Sequence, residues 1–458
     1  MERIALTFLF WGLVSCTPGG NSDSAGGADS SDSGPEPTVT WYADIEPILA
    51  QNCAACHEAD GIGGVDLSTY ETASQYADLM VAWVATGWMP LPAADPSCRD
   101  YHGSDRKWMD AASKEKLYTW ANEGAPKGSP DSAPEPVDWT VSLENPDTEW
   151  RLPIEHTIVP DDEGNQYYCY VIENDREDAF YITGFDVELT NPAAVHHMVL
   201  AVDSGNDAGE AYGDFDTSDG FECADPIIES DWLLLHGWSP GQHPTELTDG
   251  YGMRIEPGDQ IVLQMHYFTA SDDVQVDQSA YVLETTDTIE NEMFLWPVGP
   301  YSFTIPAGES AHKESYTLRN YYGLQARVHG VLPHMHWLGS GYYAAVQTDG
   351  EEDDCLVSGD SYSFDHQGTY MFKETTMWGP DQKIYVECTW DNSTDNPYQY
   401  YDPPQDIPFG EGTNEEMCFF LSYFSLESSS VQQSPDRAVF LDGMRRAGQT
   451  RGFGGAKP

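Results

Sequence analysis

Five consecutive residues constrain this chain more than any others: Cys53-Ala54-Ala55-Cys56-His57. The pattern C-x-x-C-H puts two thiols one helical turn apart with an imidazole next to them. Covalent attachment of a c-type haem requires this spacing, with two thioethers to the vinyl groups and an axial histidine on the iron. The surrounding residues read as helical. Residues 42–50 form an entering helix, and residues 113–122 form another that stops at Gly124-Ala125-Pro126. The competing chemistry is a zinc half-site or a dithiol redox pair, but a zinc site calls for a second Cys/His pair, and only Cys98 and His102 lie nearby. Electron transfer calls for a sixth iron ligand. Met89, in Gly87-Trp88-Met89-Pro90, is the candidate, while Met80 and Met109 are rivals in helix-like stretches that suit a core. Met89-Pro90 stands some thirty residues after the C-x-x-C-H motif.

The N-terminus reads as an address. Residues 4–14 form an apolar run of signal-peptide length ending in Leu13-Val14-Ser15-Cys16. This resembles a bacterial lipobox, which would make Cys16 the lipidated first residue of the mature chain. The alternative is an ordinary signal peptide with a chance cysteine. Either one exports the chain, to the periplasm or the outer cell surface. Residues 17–40, rich in Gly, Ser, Asp and Pro, read as a flexible tether. Export also places the nine cysteines where disulfides persist. Setting aside Cys16, Cys53 and Cys56 leaves Cys98, Cys169, Cys223, Cys355, Cys388 and Cys418, and spacing alone does not choose their partners.

Charge narrows the partners. With 77 Asp+Glu against 20 Lys+Arg, the formal net charge is -57, and nucleic acid is excluded as a partner for want of a basic footprint. Beyond the N-terminus no apolar run approaches the ~18 residues of a membrane span, so membrane contact is expected through the lipid alone. The breaks in texture divide the 458 residues. A signal peptide (1–16) and the tether (17–40) precede a haem domain (41–128) and a Pro-rich acidic linker (129–140). Two β-rich domains (141–295 and 296–430) and a locally basic tail (431–458) follow.

Past the linker, runs rich in Val, Tyr, Ile and Phe (194–202, 260–268, 342–347 and 383–390) alternate with Gly, Pro, Asn and Asp clusters. That is the signature of antiparallel sandwiches, and the length suits two. His334 and His336 stand two apart, so on a strand both imidazoles project from one face and Met335 from the other. The adjacent His196-His197 would face opposite sides of a regular strand, so a shared metal there requires a distorted backbone. His266 ends the run Leu263-Gln264-Met265-His266.

Taken together, His196-His197-Met198, Leu263-Gln264-Met265-His266-Tyr267, His334-x-His336-x-x-Gly339 and Glu416-Met417-Cys418 occur in the order found in copper type II, ascorbate-dependent monooxygenases. Further matches are Tyr168-Cys169-Tyr170, Tyr362-Ser363-Phe364-Asp365-His366-Gln367, and Cys388 followed by Asp391-Asn392-Ser393. The resemblance spans residues 145–425. It implies a mainly β fold of two jelly-roll-like antiparallel sandwiches; the part that precedes them, with its C-x-x-C-H motif and Met89-Pro90, resembles instead a class I cytochrome c, which implies a small all-α domain. It also implies two copper ions. His196, His197 and His266 would hold the electron-transfer copper, and His334, His336 and Met417 the copper that meets O2, where a soft thioether favours Cu(I). Cys169–Cys223 and Cys388–Cys418 are the disulfides it suggests, which leaves Cys98 and Cys355 unassigned.

The departures bear on the substrate. Peptide-amidating members carry an Arg two residues before the His-x-His pair, where this chain has Leu332. They carry Asn and Tyr two and four residues after the Met ligand, where it has Phe419 and Leu421. An apolar wall in place of a polar clamp implies a small or apolar C–H substrate. His243, His329, Gln367 and Tyr267 are either second-layer groups or ordinary polar residues. The expected activity is insertion of one atom of O2 into a C–H bond, with electrons from ascorbate, another donor or the fused haem c. The alternative is a non-catalytic electron-transfer or copper-handling surface lipoprotein.

Overall fold

The computed structural model describes residues 37–59, 61–104, 108–136, 141–159, 165–203, 205, 208, 219–223, 232–268, 273–320, 325–364, 366–410, 412 and 414–427. The expected signal peptide with Cys16, nearly all of the tether, the C-terminal tail and Asp365 lie outside them.

The N-terminal part is helical. A wide turn over Trp41–Ile45 runs into the helix Glu46–Asn52, whose first turn accommodates Pro47. Beyond it, His57 N–H donates to the Cys53 carbonyl at 2.9 Å, so the C-x-x-C-H residues close a turn of their own. Helix Tyr70–Gln75 is capped by the Thr69 hydroxyl, and helix Ala111–Asn122 by Asp110, which accepts from Ser113 N–H at 2.6 Å. Between them, helix Ala77–Thr86 ends at Gly87, whose φ of 78° closes the helix cheaply and turns the chain into Trp88 and Met89. Trp41, Ile45, Val84, Leu117 and Trp120 form the core of this part.

From Thr148 onward the chain is strands. A five-stranded sheet contains Asn165–Ile172, Gln260–Phe268 and Val195–Asp203 side by side, and a four-stranded sheet is built on Gln382–Trp390 and Gly339–Thr348. Each packs against a different part of one long sheet. Phe180, Ile182 and Leu283 of the long sheet share a core with Met198, Leu200 and Ile261, while Val331, Phe420 and Trp378 share another with Val346, Ile384 and Val386. The long sheet is continuous because Asn291–Val298 pairs in parallel with Tyr251–Ile255 on one side and antiparallel with Phe419–Leu426 on the other. The architecture is thus mainly β, and the two sandwiches share a sheet instead of standing apart.

Three disulfides cross-link it: Cys169–Cys223, Cys388–Cys418 and Cys98–Cys355. The first two are those the resemblance implies. The third joins the helical part to the second sandwich, and the neighbouring residues reinforce it. Ala94 N–H donates to the Tyr370 hydroxyl at 3.1 Å, Tyr101 Oη donates to the Leu356 carbonyl at 3.1 Å, and Arg99 pairs with Asp354. The Pro-rich linker therefore does not leave the helical part loose. A second, non-consecutive strap anchors it.

Candidate metal centres

The first centre lies on the five-stranded sheet. In the ladder between Val195–Asp203 and Gln260–Phe268, His266 pairs with His197 but Tyr267 pairs with Val195, so His196 is the extra residue of a β-bulge. A bulge re-aims a side chain that would otherwise point away, which supplies the distorted backbone that the adjacent pair requires. One ring nitrogen from each of His196, His197 and His266 lies within 4.8 Å of the others. His196 Nδ1 and His266 Nδ1 are 3.2 Å apart, and Tyr167 stacks on His266 at 4.1 Å. Burial pushes His196 down to about 4, and burial, then the neighbouring His197 and His196, pushes His266 far below the ordinary histidine value. Neutral imidazoles converging in this way fit a borderline or soft transition metal.

The second centre is assembled differently. Strand Ala326–His334 ends at His334, so His336 reaches it from beyond the strand and not by strand periodicity. Glu416, buried, holds that turn: its carboxylate accepts from His336 N–H at 2.9 Å, Leu338 N–H at 2.7 Å and Trp390 Nε1–H at 2.9 Å. Burial raises the Glu416 carboxyl to about 7 despite these donors. The two rings sit 5.3 Å apart and nearly perpendicular. His334 Nδ1–H donates to Gln367 Oε1 at 2.5 Å and His336 Nδ1–H to the Glu415 carbonyl at 3.0 Å. Each bond fixes the tautomer that leaves Nε2 with a lone pair. Both Nε2 atoms are buried and have no hydrogen-bond partner among the described residues. Buried polar atoms are rarely left so; the His156 Nε2 atom is another such case, but among the described residues only His334 and His336 bring two of them together, on rings 5.3 Å apart, where a metal would satisfy both. Met417 is fully buried between Glu416 and the disulfide-bonded Cys418, and Phe419 pairs in register with His334. Met335 points into the sandwich core.

A cavity of about 940 Å3 runs from the helical part to the first centre. Cys53, Cys56 and His57 line one end, and His196 and His266 another. His57 Nδ1–H donates to the Val65 carbonyl at 3.1 Å, which leaves its Nε2 for a ligand. Gly63 passes so close that a Cβ there would lie 2.5 Å from the His57 ring. Met89, Met80 and Met109 all line this cavity. Its size and its thiol, imidazole and thioether donors fit a covalently held haem.

Other expectations resolve as packing. Gln367 orients His334, whereas Tyr267 donates to Asp277 at 3.0 Å in the core and His329 lies between Thr248 and Ser425. His243 lines the cavity, and His102 is exposed. Leu332 and Leu421 pair in register and belong to the core that joins the two sandwiches, and Phe419 packs on Tyr301 at 5.0 Å. The apolar wall expected at the substrate is thus largely inter-sandwich packing. Sequence reasoning missed two buried core histidines: His156, stacked on Tyr267, and His236, stacked on Phe185. It also missed the Glu415 carbonyl, because a backbone acceptor carries no residue signature.

Two histidine clusters thus stand on the pair of sandwiches, His196 with His197 and His266, and His334 with His336, and each offers ring nitrogens that could hold a metal. Residues 304–438 match the family model for the copper type II ascorbate-dependent monooxygenase, C-terminal domain. That segment contains His334, His336 and Met417, and the match supports the copper type II monooxygenase family and, with it, copper. No curated protein matches the chain. Among solved structures, those of infectious bursal disease virus Gx strain (8% identity, TM-score 0.17, covering 69% of this chain and 92% of that one) and Gt strain (8%, 0.14, 68% and 92%) have TM-scores too low to carry any argument.

Proposed function

We propose that the protein is a copper-dependent monooxygenase that inserts one atom of O2 into a C–H bond of a small or apolar substrate. Its electrons come from a haem c held by Cys53, Cys56 and His57, from ascorbate, or from both. The observation that carries this reading is the pair of bare, buried Nε2 atoms of His334 and His336 within the segment that matches the family. Two coppers would supply one-electron transfer at the first centre and O2 reduction at the second. The chain's own part is positional. Gln367, the Glu415 carbonyl and Glu416 hold two neutral imidazoles in place, and the Cys388–Cys418 disulfide pins the backbone next to buried Met417.

Met89 is proposed as the haem's sixth ligand because the turn after Gly87 delivers it to the cavity. Leu332, Phe419 and Leu421 are core packing and say nothing of what the site accepts; they only leave the chain without the charged and polar clamp that would hold a peptide carboxylate at those positions. Three disulfides support an oxidising compartment and hence export, with a lipid on Cys16 as the proposed anchor. The test is a screen of apolar substrates under isotope-labelled dioxygen with a reductant. One labelled oxygen atom per product supports the reading. Reductant consumed without label in any product, at full copper loading, would leave the electron-transfer alternative.

A further inference from the structure

A row of aromatic rings leads from the haem cavity to the second centre. Trp88, the residue before Met89, lies 5.7 Å from Tyr398, and Tyr398 lies 5.7 Å from Trp337, the residue before which His336 stands. The planes are tilted by 37° and 32°, so the rings lie nearer to face-to-face than to edge-on. Trp337 also meets Phe364 at 4.8 Å, and Phe364 faces His336 at 5.8 Å and His197 at 6.5 Å. At the outer end Trp83 adjoins Trp88 at 6.0 Å.

The row comes from segments far apart in the chain, and the helical part contributes Trp88 across its seam with the second sandwich. Packing alone does not require each end of the row to be a covalent neighbour of a candidate ligand. From Met89 to His336 the row needs only two steps through space, and Trp337 and Tyr398 also line the cavity that holds the C-x-x-C-H residues.

We propose that Trp88, Tyr398 and Trp337 form a route that carries electrons from the haem to the second centre without passing through the first. This rests on the reading of the C-x-x-C-H part as the haem donor. In each event one electron leaves Fe(II), giving Fe(III), and converts one Cu(II) at the second centre to Cu(I). No atom is transferred, and no ring need be oxidised, because the π systems couple donor to acceptor across gaps that solvent or aliphatic side chains would span poorly. The three residues are positioning groups for electron transfer, and Phe364 is a branch toward His197.

The test is anaerobic and free of substrate, so turnover does not enter it. The protein is loaded with haem and Cu(II), its haem is reduced rapidly, and haem reoxidation is followed by absorption, with second-centre reduction followed by loss of its Cu(II) resonance. The same is done in a His196→Ala background that lacks first-centre copper. Reoxidation should persist in that background. There Trp337→Leu and the half-exposed Trp88→Leu should each slow it about tenfold or more, whereas Trp337→Phe, which keeps a ring, should stay within about threefold. Copper content and the haem spectrum should be unchanged. Loss of all reoxidation in the background, an unchanged rate in both Leu variants, or equal slowing by Phe and Leu at Trp337 would overturn the route. If unaltered, fully loaded protein fails to reoxidise its haem, the donor reading itself fails, and the route with it. That result is distinct from failure of the variants alone.

Discussion

The two centres solve the same problem by opposite means. At the first, the backbone does the work: one extra residue in a ladder turns His196 toward His197 and His266, and ring stacking on Tyr167 completes the setting. At the second, the side chains and their acceptors do it: Gln367, the Glu415 carbonyl and the Glu416 carboxylate fix two rings that strand geometry alone does not bring together. The first cluster shares a cavity with the C-x-x-C-H residues, whereas the second is buried, with Phe364 5.8 Å from His336. On the proposed reading the first cluster, open to the cavity, is the one that passes electrons. A site that handles O2 gains from ligands locked in one tautomer and shielded from water.

The sharpest way to break this comparison is to delete one ligand from each centre. His334→Ala should remove one copper and lower product formation by about 10,000-fold, the scale for a group that acts within a catalytic unit. His196→Ala should remove the other copper and leave the second centre loaded. If either variant keeps two coppers, the centres are misassigned. Next in size is the strap between the helical part and the second sandwich. Cys98→Ser with Cys355→Ser should cost about 2–4 kcal/mol in denaturant unfolding while both coppers remain bound. Unchanged stability would mean that the strap is not part of the folded unit.

A smaller effect separates the centres by their supports. Gln367→Leu should weaken copper at the second centre about 10–100-fold, read by competition with a chelator, with the first centre unaffected. Gln367→Glu, which keeps an acceptor, should restore most of it. The last test is in pH and uses a core histidine outside both centres. Burial pushes His236 down to about 3. As pH falls below the usual ~6.5 the unfolded chain takes up this proton and the folded one does not, so stability drops by up to about 1.4 kcal/mol per pH unit until the folded value is reached. Metal-free protein should show this slope in its unfolding midpoint, added to that of the other buried histidines, and His236→Gln should make it shallower by about one proton's worth.

What the sequence revealed follows from how local each feature is. The C-x-x-C-H turn, its flanking helices and the four marked strands are legible because their spacing is their chemistry. The candidate ligand histidines are marked by resemblance alone, and the structure brings His196, His197 and His266 together and sets His334 beside His336. The bulge at His196 is not, because it exists only in register with Gln260–Phe268. The Cys98–Cys355 link is not, because 257 residues separate its ends. The sheet common to both sandwiches depends on a parallel pairing of two residue pairs, Asn291 with Tyr251 and Glu292 with Gly252, which no periodicity announces. The aromatic row is likewise a product of the fold, since its members come from three segments between residues 83 and 398.

The central claim is that two copper centres and one haem occupy a single chain, and their stoichiometry tests it most directly. Protein matured in a haem-attaching periplasm should contain about two coppers and one covalent haem per chain, with copper falling to about one in His334→Ala and in His196→Ala alike. Haem without copper, or zinc in copper's place, would contradict the account and leave a tethered cytochrome joined to a repurposed pair of sandwiches.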